Sequence, residues 1–157
     1  MSVPPDLVAP DLFTIGYEVS TLPAVLDTLK AAGVGLLIDV RAVAASRKPG
    51  FSKKLLSASL DEAGIRYLHL QGLGTPKAGR DAARAGRVAE MHRIFRAHME
   101  SDRSQAELAQ ARAAAGAAPA CLLCFERDHR GCHRDLVAEM IQAETGQKVV
   151  HLVPSAV

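Results

Sequence analysis

The order of apolar runs along this chain predicts an α/β fold, a three-layer sandwich with a mostly parallel sheet of about five strands and helices on both faces. Three observations carry the prediction. Five short apolar runs, at residues 12–16, 36–41, 66–70, 120–125 and 149–153, alternate with stretches of helical spacing. Several of the runs are nearly continuous in apolar residues, as strands covered on both faces are. Glycines mark helix stops, with Gly33 after the first periodic stretch, Gly64 after the second and Gly146 after the last.

The helical stripes are specific. Leu22, Val25, Leu26 and Leu29 follow the i, i+3, i+4, i+7 pattern, and Leu56, Leu60 and Ala63 make a second stripe. Val88, Met91, Phe95 and Met99 make a third, on a helix read as also bearing Arg80, Arg84, Arg87, Arg93 and Arg96. An alanine-rich helix spans 106–118, ending near Gly116 and Pro119, and Leu136, Val137, Met140 and Ile141 face the core from the last helix. Strand–helix alternation predicts right-handed crossovers. It does not order the strands.

The chain has 157 residues, 48% apolar and 23% charged, the balance of one globular domain. We assign residues 12–157 to that domain and 1–11 to an extended N-terminal segment. No run of 18 apolar residues exists, and the acidic, proline-bearing start has no signal-peptide pattern. The odd count of three cysteines, Cys121, Cys124 and Cys132, argues for a reducing compartment, so the expected location is cytoplasmic.

Net charge is only +2, too small to argue for nucleic-acid binding by itself. Its distribution says more. Residues 41–54 hold Arg41, Arg47, Lys48, Lys53 and Lys54 without one acid, either a solvated loop or the rim of an anion site.

Ligands of open parallel sheets bind beyond the carboxyl ends of the strands, so the residues there are the site candidates. Asp39 and Arg41, two apart in a strand, share a face as a structural pair or as an anion site with an orienting base. Cys132 and His133 open the last helix, where free N–H groups attract anions and lower a thiol pKa. Cys132 is then a candidate nucleophile with His133 or Glu126 as proton carrier, against the plain alternative of a buried hydrophobic cysteine. Redox pairing of Cys124 with Cys132 requires their loops to meet. Cys121, Cys124, Cys132 and His133 give a C-x2-C spacing followed by a Cys-His pair, as zinc sets do. But the odd separation of Cys121 and Cys124 in a strand turns them to opposite faces, Leu122-Leu123 supplies no turn between them, and no metal is expected. Neither a dinucleotide fingerprint nor a P-loop is present, so no cofactor is expected.

A set of motifs in order carries a family resemblance: Thr14-Ile15-Gly16-Tyr17, Asp39-Val40-Arg41, Ser46-Arg47 with Phe51, Gly64-Ile65 with Tyr67-Leu68, Leu73-Gly74, Cys124-Phe125-Glu126 and Cys132-His133-Arg134. The chain resembles the DUF488 family from about residue 12 to 153. The resemblance implies a compact bacterial or archaeal cytoplasmic α/β domain and a site, not a reaction. The positions it carries over are Gly16, Tyr17, Asp39, Arg41, Ser46, Arg47, Cys124, Glu126, Cys132, His133 and Arg134. Where the family's first motif often has His, this chain has Tyr17.

Three functions remain open from sequence. The first is an enzyme on a small phosphorylated or nucleotide-like substrate, with Arg41, Arg47, Arg134 and Ser46 binding the anion. Asp39, Glu126, Cys132 and His133 would carry the chemistry, with Gly16, Tyr17 and Cys124 shaping the pocket. The second is a nucleic-acid-binding or -processing domain. Low aromatic content and the absence of Trp weigh against it. The third is a ligand sensor without turnover.

Overall fold

In the computed structural model, residues 9–156 are described. Residues 1–8, most of the N-terminal segment set apart above, lie outside them. The chain runs β1 (Leu12–Gly16), α1 (Leu22–Ala31), β2 (Leu36–Asp39), α2 (Lys53–Glu62), β3 (Arg66–His69), α3 (Lys77–Arg84), α4 (Val88–His98), α5 (Asp102–Ala117), β4 (Ala120–Cys124), α6 (His133–Thr145) and β5 (Val149–Leu152). All five strands are parallel, in the order β3-β2-β4-β1-β5.

Burial follows that order. Every residue of β2 and β4 is buried, whereas the edge strands β3 and β5 are only partly covered. Alternation then splits the interior in two. Leu12, Ile38 and Leu122 pack against Met91 and Phe95 of α4, Leu108 of α5 and Val137 of α6. Leu37, Cys121 and Leu123 pack against Val25 and Leu29 of α1 and Leu56 and Leu60 of α2. The sheet is therefore the middle of three layers.

The helix ends follow local chemistry. The Thr21 hydroxyl accepts from the Ala24 N–H at the start of α1, and the Ser101 hydroxyl accepts from Ser104 at the start of α5. Gly146 closes α6 at φ +70°, a left-handed conformation that suits glycine. One expectation is corrected. The arginine-bearing helix is two helices, broken at Gly86 with φ +78°, so Arg80 and Arg84 belong to α3 while Arg93 and Arg96 belong to α4. No described helix is long and apolar enough to cross a membrane.

Leu122, fully buried mid-sheet, tests the central placement of β4. Leu122→Ala is expected to cost about 2–5 kcal/mol in urea unfolding. Val153→Ala, at an exposed position, is expected to change stability by less than about 0.5 kcal/mol. Equal urea midpoints for the two would contradict the burial of Leu122 in the core.

Candidate functional site

β2 ends in a buried ion pair on the α1/α2 side of the sheet. Arg41 Nε donates to Asp39 Oδ1 at 2.9 Å and Nη2 donates to Oδ2 at 2.7 Å, a two-pronged contact. Arg41 Nη1 donates to the Tyr17 hydroxyl at 3.0 Å and to the Phe51 carbonyl at 2.8 Å. Four of the five guanidinium N–H groups are thus committed. Burial opposes the Arg41 charge, and Asp39 outweighs it. The Tyr67 hydroxyl also donates to Asp39, and burial together with that carboxylate raises the Tyr67 pKa. Tyr17 stacks on Phe51 with ring centres 4.3 Å apart, fixing the basic loop to β1.

A second buried guanidinium works on the other face. Arg134 Nε donates to Thr14 Oγ1 at 3.2 Å, Nη1 donates to the Glu126 carbonyl, and Nη2 donates to the Arg127 carbonyl at 3.4 Å. Arg134 is 1% exposed and braces the segment after β4 against β1. Gly16 permits this approach, since a Cβ there would stand 1.8 Å from the Glu126 carbonyl oxygen.

Beside this brace lies a thiol–imidazole cluster. Cys124 ends β4, Cys132 caps the N-terminus of α6, and His133 is its first residue. His133 Nδ1 is 3.5 Å from Cys124 Sγ and 3.9 Å from Cys132 Sγ, while Nε2 donates to the Val40 carbonyl at 2.7 Å. Cys124 Sγ also reaches Glu126 Oε2 at 3.4 Å. Burial pushes the Cys124 thiol well up, and Cys132 adds to the shift. Burial acts on Cys132 in the same sense, but Cys124, His133 and Arg134 together hold its thiol well below the ordinary value. Burial and the neighbouring Cys132 push the Glu126 carboxyl up to about 7.

The two faces meet in a pocket of about 510 Å³ at the carboxyl edge of the sheet. Cys124 and His133 form its buried floor beside half-buried Glu126. Tyr17 and Arg41 are buried in its lining, Ser46 and Arg80 are half-buried there, and Arg47, Arg84 and Phe125 are exposed. Of the sequence candidates, Tyr17, Arg41, Ser46, Arg47, Cys124, Glu126 and His133 line the pocket, whereas Gly16, Asp39, Cys132 and Arg134 stand behind its wall. Sequence reading did not assign Arg80 and Arg84 to this pocket. Gly86, which separates α3 from α4, was the available signal. It also missed Tyr67 as the second partner of Asp39; Tyr67 lies on the α1/α2 side of neighbouring β3.

The cations along α3 and α4 are largely matched by acids. Lys77 and Arg84 pair with Asp81, Arg87 and Arg93 with Glu90, and Arg96 with Glu139.

A family model described as Domain of unknown function DUF488 matches residues 21–141. No match was found among curated proteins or among solved structures.

Replacing Arg41 would strand the buried Asp39 carboxylate, whereas Arg47 stands in solvent. Arg41→Ala is expected to destabilise by about 3–5 kcal/mol, and Arg47→Ala by less than about 0.5 kcal/mol. Chemical denaturation of both variants checks this, and equal stabilities would show that the pair does not hold the loop.

Proposed function

We propose that this chain, which belongs to the DUF488 family, is a small enzyme acting on a phosphorylated or nucleotide-like substrate held in the pocket at the carboxyl edge of the sheet. The observation that carries the reading is one cavity lined both by cations and by reactive side chains. Its volume of about 510 Å³ is that of a small-molecule site.

Arg47 and Arg80 are the groups that take the anion; Arg84, which shares Asp81 with Lys77, adds only background charge. Arg80 already spends one Nη1 hydrogen on the Thr75 carbonyl, which steadies its fork. Arg41 adds charge from the wall through its remaining N–H. Arg134 is assigned no ligand contact, because it lies behind the wall with its donors turned to backbone and Thr14. Cys124, Glu126 and His133 lie where the reacting part of a bound substrate would sit, and Cys124 is the sulfur that such a substrate reaches. Asp39 acts as a positioning residue through Arg41.

The nucleic-acid reading draws less support. The acids paired with the α3 and α4 cations leave no continuous basic stripe for a phosphate backbone.

Calorimetric titration with inorganic phosphate, nucleoside monophosphates and nucleoside triphosphates tests the pocket. At least one of these is expected to bind, and Arg47→Ala and Arg80→Ala are each expected to weaken it about tenfold to a hundredfold, the worth of a charge-assisted hydrogen bond. Unchanged binding in the double variant, or no binding of any of these anions, would rule the reading out.

A further inference from the structure

We propose that Cys124, Cys132 and His133 form a binding site for one zinc ion, with its fourth position turned toward the pocket. The three ligand atoms lie within 4.8 Å of one another, and all three residues are buried. The spacing suits the ion. Tetrahedral zinc with bonds of about 2.3 Å to sulfur and about 2.0 Å to nitrogen sets sulfur and nitrogen about 3.6 Å apart. His133 Nδ1 stands 3.5 Å from one sulfur and 3.9 Å from the other.

The imidazole is already turned for the task. A carbonyl only accepts, so the 2.7 Å contact from Nε2 to Val40 O places a proton on Nε2. In the neutral ring, Nδ1 then carries the lone pair, with both sulfurs within 3.9 Å of it. Ligating histidines are held in this way, by a carbonyl on the far nitrogen. Charge is balanced as well, since two thiolates and a divalent cation place no net charge in the interior.

Two cysteines and a histidine leave one of four positions free, the pattern of zinc that meets a ligand rather than zinc that only staples a fold. Cys124 and His133 line the pocket, and the Glu126 carboxylate lies 3.4 Å from Cys124 Sγ on that side. Thiolate donors favour zinc over magnesium or calcium. Cys121 takes no part, because it faces the α1/α2 layer. Of the four residues whose spacing suggests zinc in the sequence, the fold turns Cys121 away and brings the other three, Cys124, Cys132 and His133, together. A second cluster, His129, Asp135 and His151, also has its ligand atoms within 4.8 Å of one another, but ring orientation counts against it. Its two rings stack in parallel at 3.5 Å, so their in-plane lone pairs do not converge on one ion.

The zinc site does not depend on anion binding, because no arginine is a ligand; with zinc bound, Cys124 and His133 serve as ligands in place of the direct substrate contact assigned to them above. The test uses the full chain, reduced, stripped of metal and titrated with Zn²⁺ against a chromophoric chelator; Co²⁺ serves as the spectroscopic probe. One equivalent of zinc per chain is expected. Bound Co²⁺ is expected to give a thiolate charge-transfer band and the intense visible bands of tetrahedral coordination. Cys124→Ser and His133→Gln should each weaken zinc binding more than about a hundredfold, beyond the usual loss from an outer-shell change, and Cys121→Ser should leave it unchanged. Absence of stoichiometric zinc, an octahedral cobalt spectrum, or equal loss in Cys121→Ser would overturn the proposal. The cobalt spectrum of the unsubstituted protein decides the matter even if a variant fails to fold.

Discussion

A guanidinium taken out of water needs a negative charge beside it and acceptors for its N–H groups, and Arg41 finds both. Asp39 supplies the charge from the same strand. Tyr17 supplies an acceptor from the segment after β1, and Phe51 supplies another from the far end of the basic loop. Tyr67 then closes the network from β3 onto the second carboxylate oxygen. One ion pair therefore sets the relation of three strands and a loop, and two members of the network, Tyr17 and Arg41, line the pocket. A buried pair of this kind is a poor source of net stability, but its directional bonds define one arrangement.

Arg134 does the same for the opposite face, with backbone carbonyls in place of a carboxylate. The consequence for function is a division of labour among arginines. The two most buried ones, Arg134 and Arg41, hold the backbone and side chains around the pocket, and on the function proposed above the more exposed Arg47 and Arg80 meet what enters it. Between these sets lie Cys124 and His133, buried yet bordering the cavity and fixed in place by their hydrogen bonds.

Much of the fold was legible in the sequence because covered parallel strands are written as short apolar runs. β1 matched its run residue for residue, and the other four stopped one or two residues earlier, where Arg41, Leu70, Phe125 and Val153 leave the ladder. Strand order was not legible, since it depends on which crossovers skip a position. The site was legible as a set of positions but not as roles. Arg41 and Arg134 carry the residue type that binds anions, and only coordinates show their donors turned to Asp39, Tyr17, Thr14 and the backbone. The spacing of the cysteines suggests a nucleophile, a redox pair or a zinc set without choosing among them. The strand alternation that separates Cys121 from Cys124 could be read from spacing; the return of α6 that brings Cys132 and His133 to Cys124 could not.

The place of β4 has a bearing on how the polypeptide reaches this state. β1 and β2 do not pair with each other; β4 lies between them and bonds to both. On a ribosome, β1 and β2 emerge long before the strand that joins them, with four helices and β3 made in the interval. Until then their facing edges hold backbone groups without partners, the kind of edge that recruits other chains. Assembly is thus governed by contacts remote in sequence, which favours slow folding and gives chaperones a period in which to act.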